Sequence, residues 1–174
     1  MREISSFSLQ NIEPKNSPLG QKIYAHQSRI IFKGIPTELI VEGVCFEAEY
    51  ECRLGYLLLI GDNCPYEEGL NIYLLSHQLK IIDVLRLGCI YTPAIFRSAK
   101  IINNNSIEFE FFGEDLWQLT LLDKPKRNWS LPVGEMAMFY SLACRPFKYS
   151  IRANYLQLTG KWKDNKGKEH SYSI

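Results

Sequence analysis

The sequence lacks any run of about 18 apolar residues, the shortest length that spans a membrane as a helix. Its N-terminus has neither the continuous apolar segment nor the small-residue cleavage site of a secretory signal. It also lacks an excess of either charge, because 20 basic and 19 acidic side chains leave a formal charge of +1. A chain with so little net charge has no overall electrostatic field that would attract nucleic acid or an anionic membrane. We therefore expect a soluble, cytoplasmic protein whose partner is neither nucleic acid nor a membrane.

Cysteine is present without the spacing that binds zinc or builds a disulfide framework. The number of cysteines is odd and no two form a CxxC pair. We interpret all of them as reduced thiols; the alternative, a disulfide between Cys45 and Cys52, requires an oxidising compartment. The five cysteines are Cys45, Cys52, Cys64, Cys89 and Cys144.

The local signatures of common enzyme classes are missing as well. There is no GxSxG, GxGxxG or GxxxxGK[ST] stretch, and no metal-type spacing connects His26, His77 and His170. The sequence therefore predicts no metal site and no cofactor. It leaves open an enzyme whose groups converge only in three dimensions, for instance Cys64 with His77 and Asp83.

What the sequence does contain is β-type patterning in a chain with 46% apolar and 13% aromatic residues. Apolar and polar residues alternate on both sides of GED within 107–121, which predicts a hairpin with one buried face. A second hairpin is predicted over 149–172, where DNKG supplies the turn. Other segments of strand length, rich in β-branched and aromatic residues, are 22–33, 38–50, 54–60, 69–75, 79–86 and 95–103.

The short connections between these segments favour antiparallel pairing, because a parallel crossover needs a dozen or more residues. The predicted fold is mainly β, a single domain of about eight to ten mostly antiparallel strands in a sandwich or barrel-like arrangement. Residues 1–20 are predicted to form an extended lead-in, and 21–174 the β-rich domain. The segment 131–143 is compatible with one short helix capped by Ser130, and equally with a strand.

The stretch GDNCPYEEGL, residues 61–70, is the densest in potentially reactive groups. Turn chemistry accounts for its Gly, Asp, Asn and Pro residues, and the spacing of a calcium loop is absent. Our hypothesis is a projecting acidic loop that binds a protein partner, with charge for steering and an aromatic anchor. The residues assigned to it are Asp62, Tyr66, Glu67 and Glu68.

A second dense stretch, DKPKRNW at 123–129, places basic side chains beside an aromatic ring. Such a group can bind phosphate and stack on a base. Three charges in a nearly neutral chain, without an RNA-binding signature, favour a solvated loop. The residues of this weak basic patch are Lys124, Lys126, Arg127 and Trp129.

The aromatic residues allow two interpretations. In a half-buried sheet they fill the core, which we favour, and in a barrel they can line a ligand cavity. The residues concerned are Tyr91, Phe96, Phe109, Phe111, Trp117, Tyr149 and Tyr155.

These observations rank three functions. The first is a small non-enzymatic protein that acts by binding another protein, comparable in type to bacterial immunity proteins and inhibitors. The second is a β-barrel or sandwich that holds a small apolar ligand. The third is the enzyme assembled only in three dimensions.

Overall fold

The computed structural model describes residues 1–12, 27–64, 68–88, 94–112, 116–126, 154–163 and 169–173. These residues form thirteen strands, and none of them is helical. No helix in this described part is long and apolar enough to cross a membrane. The strands are β1 (Arg2–Glu3), β2 (Phe7–Ile12), β3 (Gln27–Phe32), β4 (Ile35–Glu42), β5 (Cys45–Cys52), β6 (Gly55–Gly61), β7 (Gly69–Ser76), β8 (Ile81–Gly88), β9 (Arg97–Asn103), β10 (Ser106–Glu110), β11 (Leu116–Lys126), β12 (Asn154–Lys163) and β13 (Glu169–Ser173).

The strands form three antiparallel sheets. A central sheet has the order β1-β5-β6-β7-β8, an outer sheet the order β13-β12-β11-β10-β9, and a small sheet the order β2-β3-β4. Nearly all neighbours in a sheet are also neighbours in sequence, as the short connections predict. Both predicted hairpins are present: β10 pairs with β11, where Phe109 faces Trp117, and β12 pairs with β13.

The central sheet is covered on both faces, so the described residues form three β layers. Leu57 and Leu59 of β6 pack in a core shared with the outer sheet, around Trp117. Leu58 and Ile60 of the same strand pack in a second core shared with the small sheet. All four β6 side chains are at most 1% exposed. The continuous apolar run GYLLLIG is the sequence pattern of such a doubly covered strand.

The mainly β fold is confirmed, with more strands than the eight to ten expected. Two additional strands, β1 and β2, come from the segment predicted as an extended lead-in. The third arises because 38–50 divides at Gly43, which has a φ of 101°. A side chain at this position would place its Cβ 2.6 Å from Ile60 Cγ2, so both the backbone conformation and the space favour glycine. The division into 1–20 and 21–174 stays a prediction, and 131–143 lies outside the described residues.

A buried carboxylate guides the N-terminal segment from the central sheet to the small sheet. The backbone oxygen of Glu49 accepts a hydrogen bond from Ile4 N at 3.3 Å. Its side chain accepts from Ser6 N at 2.7 Å and from Phe7 N at 3.1 Å. Glu49 therefore holds the chain between β1 and β2. Burial raises the pKa of Glu49, although the two backbone donors act in the opposite direction.

A second buried carboxylate connects the central and outer sheets. Asp83 lies in the middle of β8 and is 2% exposed. Its Oδ2 accepts hydrogen bonds from Tyr155 N at 2.7 Å and Leu156 N at 2.9 Å, both on β12. An aspartate within the apolar run IIDVLRLG is therefore a structural residue here, because burial requires its oxygens to be satisfied.

Candidate functional site

Carboxylates collect at one end of the central sheet. At this end β6 finishes at Gly61 and β7 begins at Gly69, which is opposite Gly88 at the end of β8. The connection from β4 to β5 is also here, because Val44 N donates to Gly61 O. We call the side chains gathered at this point the acidic end: Glu42, Cys45, Glu47, Asp62, Cys64 and Glu68.

Asp62 is buried at the bottom of the acidic end. Its Oδ1 accepts from Asn71 Nδ2 at 2.7 Å and its Oδ2 accepts from Arg86 Nη2 at 2.6 Å. Arg86 also donates through Nη1 to Glu42 Oε2 at 2.8 Å. The Tyr73 hydroxyl accepts from the Glu42 backbone N at 2.8 Å and donates to its backbone O at 3.2 Å. Strands β4, β7 and β8 are thus tied together below the loop that follows β6.

This placement corrects the hypothesis that Asp62 projects from the loop towards a partner. Asp62 is only 7% exposed, and its charge is compensated by Arg86. The sequence does contain a signal for this arrangement. Asn71 and Arg86 are polar residues within otherwise apolar strands, and such residues commonly satisfy one another when buried.

Glu68 closes the loop by capping its backbone. Its Oε1 accepts from Asn63 N at 2.9 Å and its Oε2 accepts from Cys64 N at 2.8 Å. Asn63 has a φ of 57°, a left-handed conformation that asparagine tolerates better than most residues. Glu68 is partly exposed, so it can both hold the loop and present charge to solvent. Tyr66 and Glu67, the other predicted residues of this loop, lie outside the described residues.

Two carboxylates and a thiol converge above Gly61. A Cβ on this glycine would lie 2.9 Å from Glu47 Oε1, 3.0 Å from Glu68 Oε1 and 3.7 Å from Cys45 Cβ. Glu47 reaches this position because the pairing of β5 with β6 shifts between Phe46 and Ala48. Burial raises the pKa of Glu47 and the charge of Glu68 adds to the effect, while a hydrogen bond with Cys45 opposes it.

The Cys45 thiol is not activated as a nucleophile. Burial raises its pKa, and the Glu47 carboxylate raises it further through its charge and its hydrogen bond. A reactive thiol requires the opposite shift, because the thiolate is the nucleophile. In the described ranges, no group of three or more His, Cys, Asp or Glu side chains is arranged to hold a metal ion.

The three groups suggested for an enzyme do not share a site. Cys64 lies at the end of the central sheet where β7 begins, and His77 follows β7 at the opposite end. The seven residue steps of β7 separate these ends by about 23 Å. Asp83 lies between them, occupied by the backbone donors of β12.

The described part of the basic patch consists of Lys124 and the backbone of Lys126, both at the end of β11. Lys124 is exposed. Arg127 and Trp129 lie outside the described residues, so the patch stays a prediction.

The buried aromatic residues fill a core. Phe109, Phe111 and Trp117 are at most 1% exposed and belong to the core between the central and outer sheets. Phe96 contacts Phe109 with 5.4 Å between ring centroids, and Tyr155 packs against the same core. Tyr91 and Tyr149 lie outside the described residues.

Comparison of the chain with protein-family models, with curated proteins and with solved structures found no match.

Proposed function

We propose that this is a small, non-enzymatic, cytoplasmic protein that binds another protein by placing its acidic end on a basic surface. The observation that carries the proposal is the convergence of Glu47 and Glu68 above Gly61. Neither carboxylate forms an ion pair within the described residues, whereas Glu42 and Asp62 share Arg86.

The environment of Glu47 favours the arrival of an external cation. Its pKa is raised because burial and the neighbouring Glu68 both disfavour its charged form. A lysine or arginine of a partner placed between the two carboxylates would reverse that effect. It would also form charge-assisted hydrogen bonds, which are stronger than neutral ones.

The hydrogen bonds around Asp62 and Glu68 support this function because they order the acidic end before a partner binds. Asp62 is held by Asn71 and Arg86, and Glu68 caps the loop backbone. A surface that is rigid before binding loses less conformational entropy when the partner arrives. The carboxylates would increase the rate of encounter with a basic partner, particularly at low salt.

The test is capture of the partner from the source cell, followed by kinetics with charge variants. Glu47→Gln combined with Glu67→Gln should slow association about tenfold at low salt and reduce its salt dependence. The melting temperature should stay within about 2 °C of the wild type, because this variant leaves Asp62 and Glu68 intact.

The matched control for this test is Glu3→Gln combined with Glu38→Gln. Both residues are exposed and lie away from the acidic end, and the change in net charge is the same. An equal loss of association rate in the control and test variants would refute a localised acidic site. A test variant that binds as fast as wild type at low salt would refute the proposal outright.

One observation favours a second candidate, the binding of a small apolar ligand. Trp117 Nε1 is a buried donor, and it has no hydrogen-bond partner among the described residues. A ligand that carries one acceptor oxygen would satisfy it, if the packed core beside Trp117 opened to admit that ligand. Native mass spectrometry of the purified protein should then show a bound mass that Trp117→Phe loses. Finding only the mass of the chain itself would remove this candidate.

A further inference from the structure

Aromatic rings gather at the end of the central sheet opposite the acidic end. Phe7 begins β2, Phe32 ends β3 and Tyr56 lies at the start of β6. Their ring centroids are 4.7 to 5.4 Å apart, so the three rings form one mutual cluster. His77, in the turn after β7, contacts Tyr56 at 5.6 Å. We call these four side chains the aromatic end.

The aromatic end is partly open to solvent. Phe7 and Tyr56 pack against the core shared with the small sheet, but they and Phe32 are only half-buried, and His77 is exposed. Ile35 pairs with Phe32 across the β3–β4 hairpin and is 70% exposed. Ile35 is thus an exposed apolar side chain paired with one of the three rings. A cluster of this kind, rimmed by polar residues, is typical of an interaction site.

Charge of both signs lies around the cluster, but its acidic members are already engaged. Glu49 accepts from Ser6 N and Phe7 N, and Glu51, opposite Tyr56, pairs with Arg2. The two turns beside the cluster, FKGIP at 32–36 and SHQLK at 76–80, contain Lys33, His77 and Lys80 and no acidic residue. Lys33 Nζ lies 5.2 Å from the Phe32 ring centroid. Neither lysine forms an ion pair within the described part of the chain. The surface thus offers two lysines that no carboxylate of the described residues neutralises.

The second turn is held in a strained conformation. Leu79 has a φ of 59°, which is rare for a bulky side chain. Ser76 fixes it: Leu79 N donates to Ser76 O at 2.9 Å, and Ser76 Oγ accepts from Lys80 N at 3.1 Å. Such strain persists where the surroundings over-determine it, often at sites that bind ligands. The backbone of the turn at Lys80 is therefore held in place, and the lysine side chain extends from it into solvent.

We propose that the aromatic end is a second docking surface, for an extended acidic segment of another protein that carries an aromatic or aliphatic side chain. The lysines would pair with its carboxylates, and the exposed Ile35 with the half-buried rings would receive its apolar group. A protein segment fits better than a nucleic acid for two reasons. Two of the four ring contacts are edge-on and the other two are tilted, so the rings do not form a parallel row of free faces for base stacking. The chain also lacks the excess positive charge that phosphate binding uses.

Synthetic peptides test this directly on the full chain. The first probe alternates Glu and Phe, the second alternates Lys and Phe, the third contains Glu and Ser, and the fourth is oligothymidylate of matched charge. The Glu–Phe peptide should bind, and its chemical-shift changes should be centred on Lys33, Tyr56 and Leu79. Removing Phe from the probe should weaken binding about tenfold, the value of one buried apolar side chain.

The variant Lys33→Glu combined with Lys80→Glu should weaken binding of the Glu–Phe peptide about tenfold or more. The matched control is Arg97→Glu combined with Lys100→Glu, two exposed cations on β9, which should bind as wild type. Ile35→Ser tests the apolar contact without touching the core. The variant Glu47→Gln with Glu67→Gln, which tests the previous proposal, should also bind the peptide as wild type, and this separates the two proposals.

Four results would overturn the proposal. The first is no binding of the Glu–Phe peptide at about 1 mM, the weakest range of specific recognition. The second is equal binding of the Lys–Phe peptide, and the third is tighter binding of oligothymidylate. The fourth is self-association in sedimentation that Lys33→Glu with Lys80→Glu abolishes, because the occupant would then be a second copy of this chain.

Discussion

At the scale of single residues, the roles of the acidic side chains depend on what faces them across the strands. Asp62 and Glu68 are six positions apart in one loop, and both side chains help to hold the structure together. Asp62 compensates Arg86, and Glu68 binds backbone donors. Glu47 differs because the residues it meets are another carboxylate and a thiol. Under the proposed function, a partner's cation would stabilise the charged form of Glu47.

Replacing Asp62 by alanine should destabilise the protein by about 2 kcal/mol. The change leaves Asn71 and Arg86 without their shared acceptor, and a buried polar network that loses one member is costly. The cost is moderated by Arg86, whose side chain is 40% exposed and can be hydrated. Urea unfolding should show a lower midpoint with an unchanged slope.

The control for Asp62→Ala is Glu38→Ala, which removes an exposed carboxylate from β4. It should change the free energy of unfolding by less than about 0.5 kcal/mol. Equal effects of the two substitutions would show that the Asp62 network contributes nothing beyond a surface charge.

At the scale of elements, the sequence predicted strands best where one face of the strand is exposed to solvent. The alternation in 106–110 and 116–121 placed the β10–β11 hairpin correctly. In a half-buried strand, apolar residues on the buried face alternate with polar residues on the exposed face, so the sequence alone reveals the strand. The N-terminal strands were missed for the converse reason. Phe7–Ile12 alternates imperfectly, and its position depends on β3 and on Glu49, which are distant in sequence.

The junction at Glu49 should make stability depend on pH. The pKa of Glu49 is raised above its ordinary value of 4.5, so the folded protein binds this proton more tightly than the unfolded chain. Stability contributed by protonation is then fully present below pH 4.5 and is lost as pH rises through the folded-state pKa. Glu49→Gln should remove this dependence, because glutamine does not titrate.

The measurement is the difference in free energy of unfolding between wild type and Glu49→Gln, taken at intervals from pH 4 to pH 7. The stability of wild type relative to the variant should fall as pH increases through the window above 4.5. Glu51→Gln serves as the control, since Glu51 lies on the same strand and forms a surface ion pair with Arg2. A relative stability that rises with pH would contradict the assignment.

At the scale of the whole molecule, the covered central sheet separates two ends with different chemistry. Carboxylates occupy one end, and aromatic rings with lysines occupy the other. Both ends are built on the same strands, since Glu42 ends β4 and Ile35 begins it. The three-layer scaffold would therefore place the two proposed binding surfaces at opposite ends of the central sheet.

The three-layer arrangement predicts where amide exchange is slowest. Amides of β6 and β7 should exchange only on global unfolding, because these strands are paired on both sides and their side chains are buried on both faces. Amides of β9, which is mostly exposed and terminates the outer sheet, should exchange faster. Hydrogen exchange followed by NMR or mass spectrometry checks this, and slower exchange in β9 than in β6 would contradict the layering.

The sequence by itself determined the mainly β class, the antiparallel pairing of neighbours and the absence of local catalytic motifs. These properties follow from alternation, turn residues and spacing, which operate over a few positions. Only the tertiary structure decided that Asp62 is buried, that Glu47 meets Glu68, and that Phe7, Phe32 and Tyr56 form one cluster. Each depends on strands from different sheets or distant parts of the chain, and local patterning carries no information about which side chains those strands bring together.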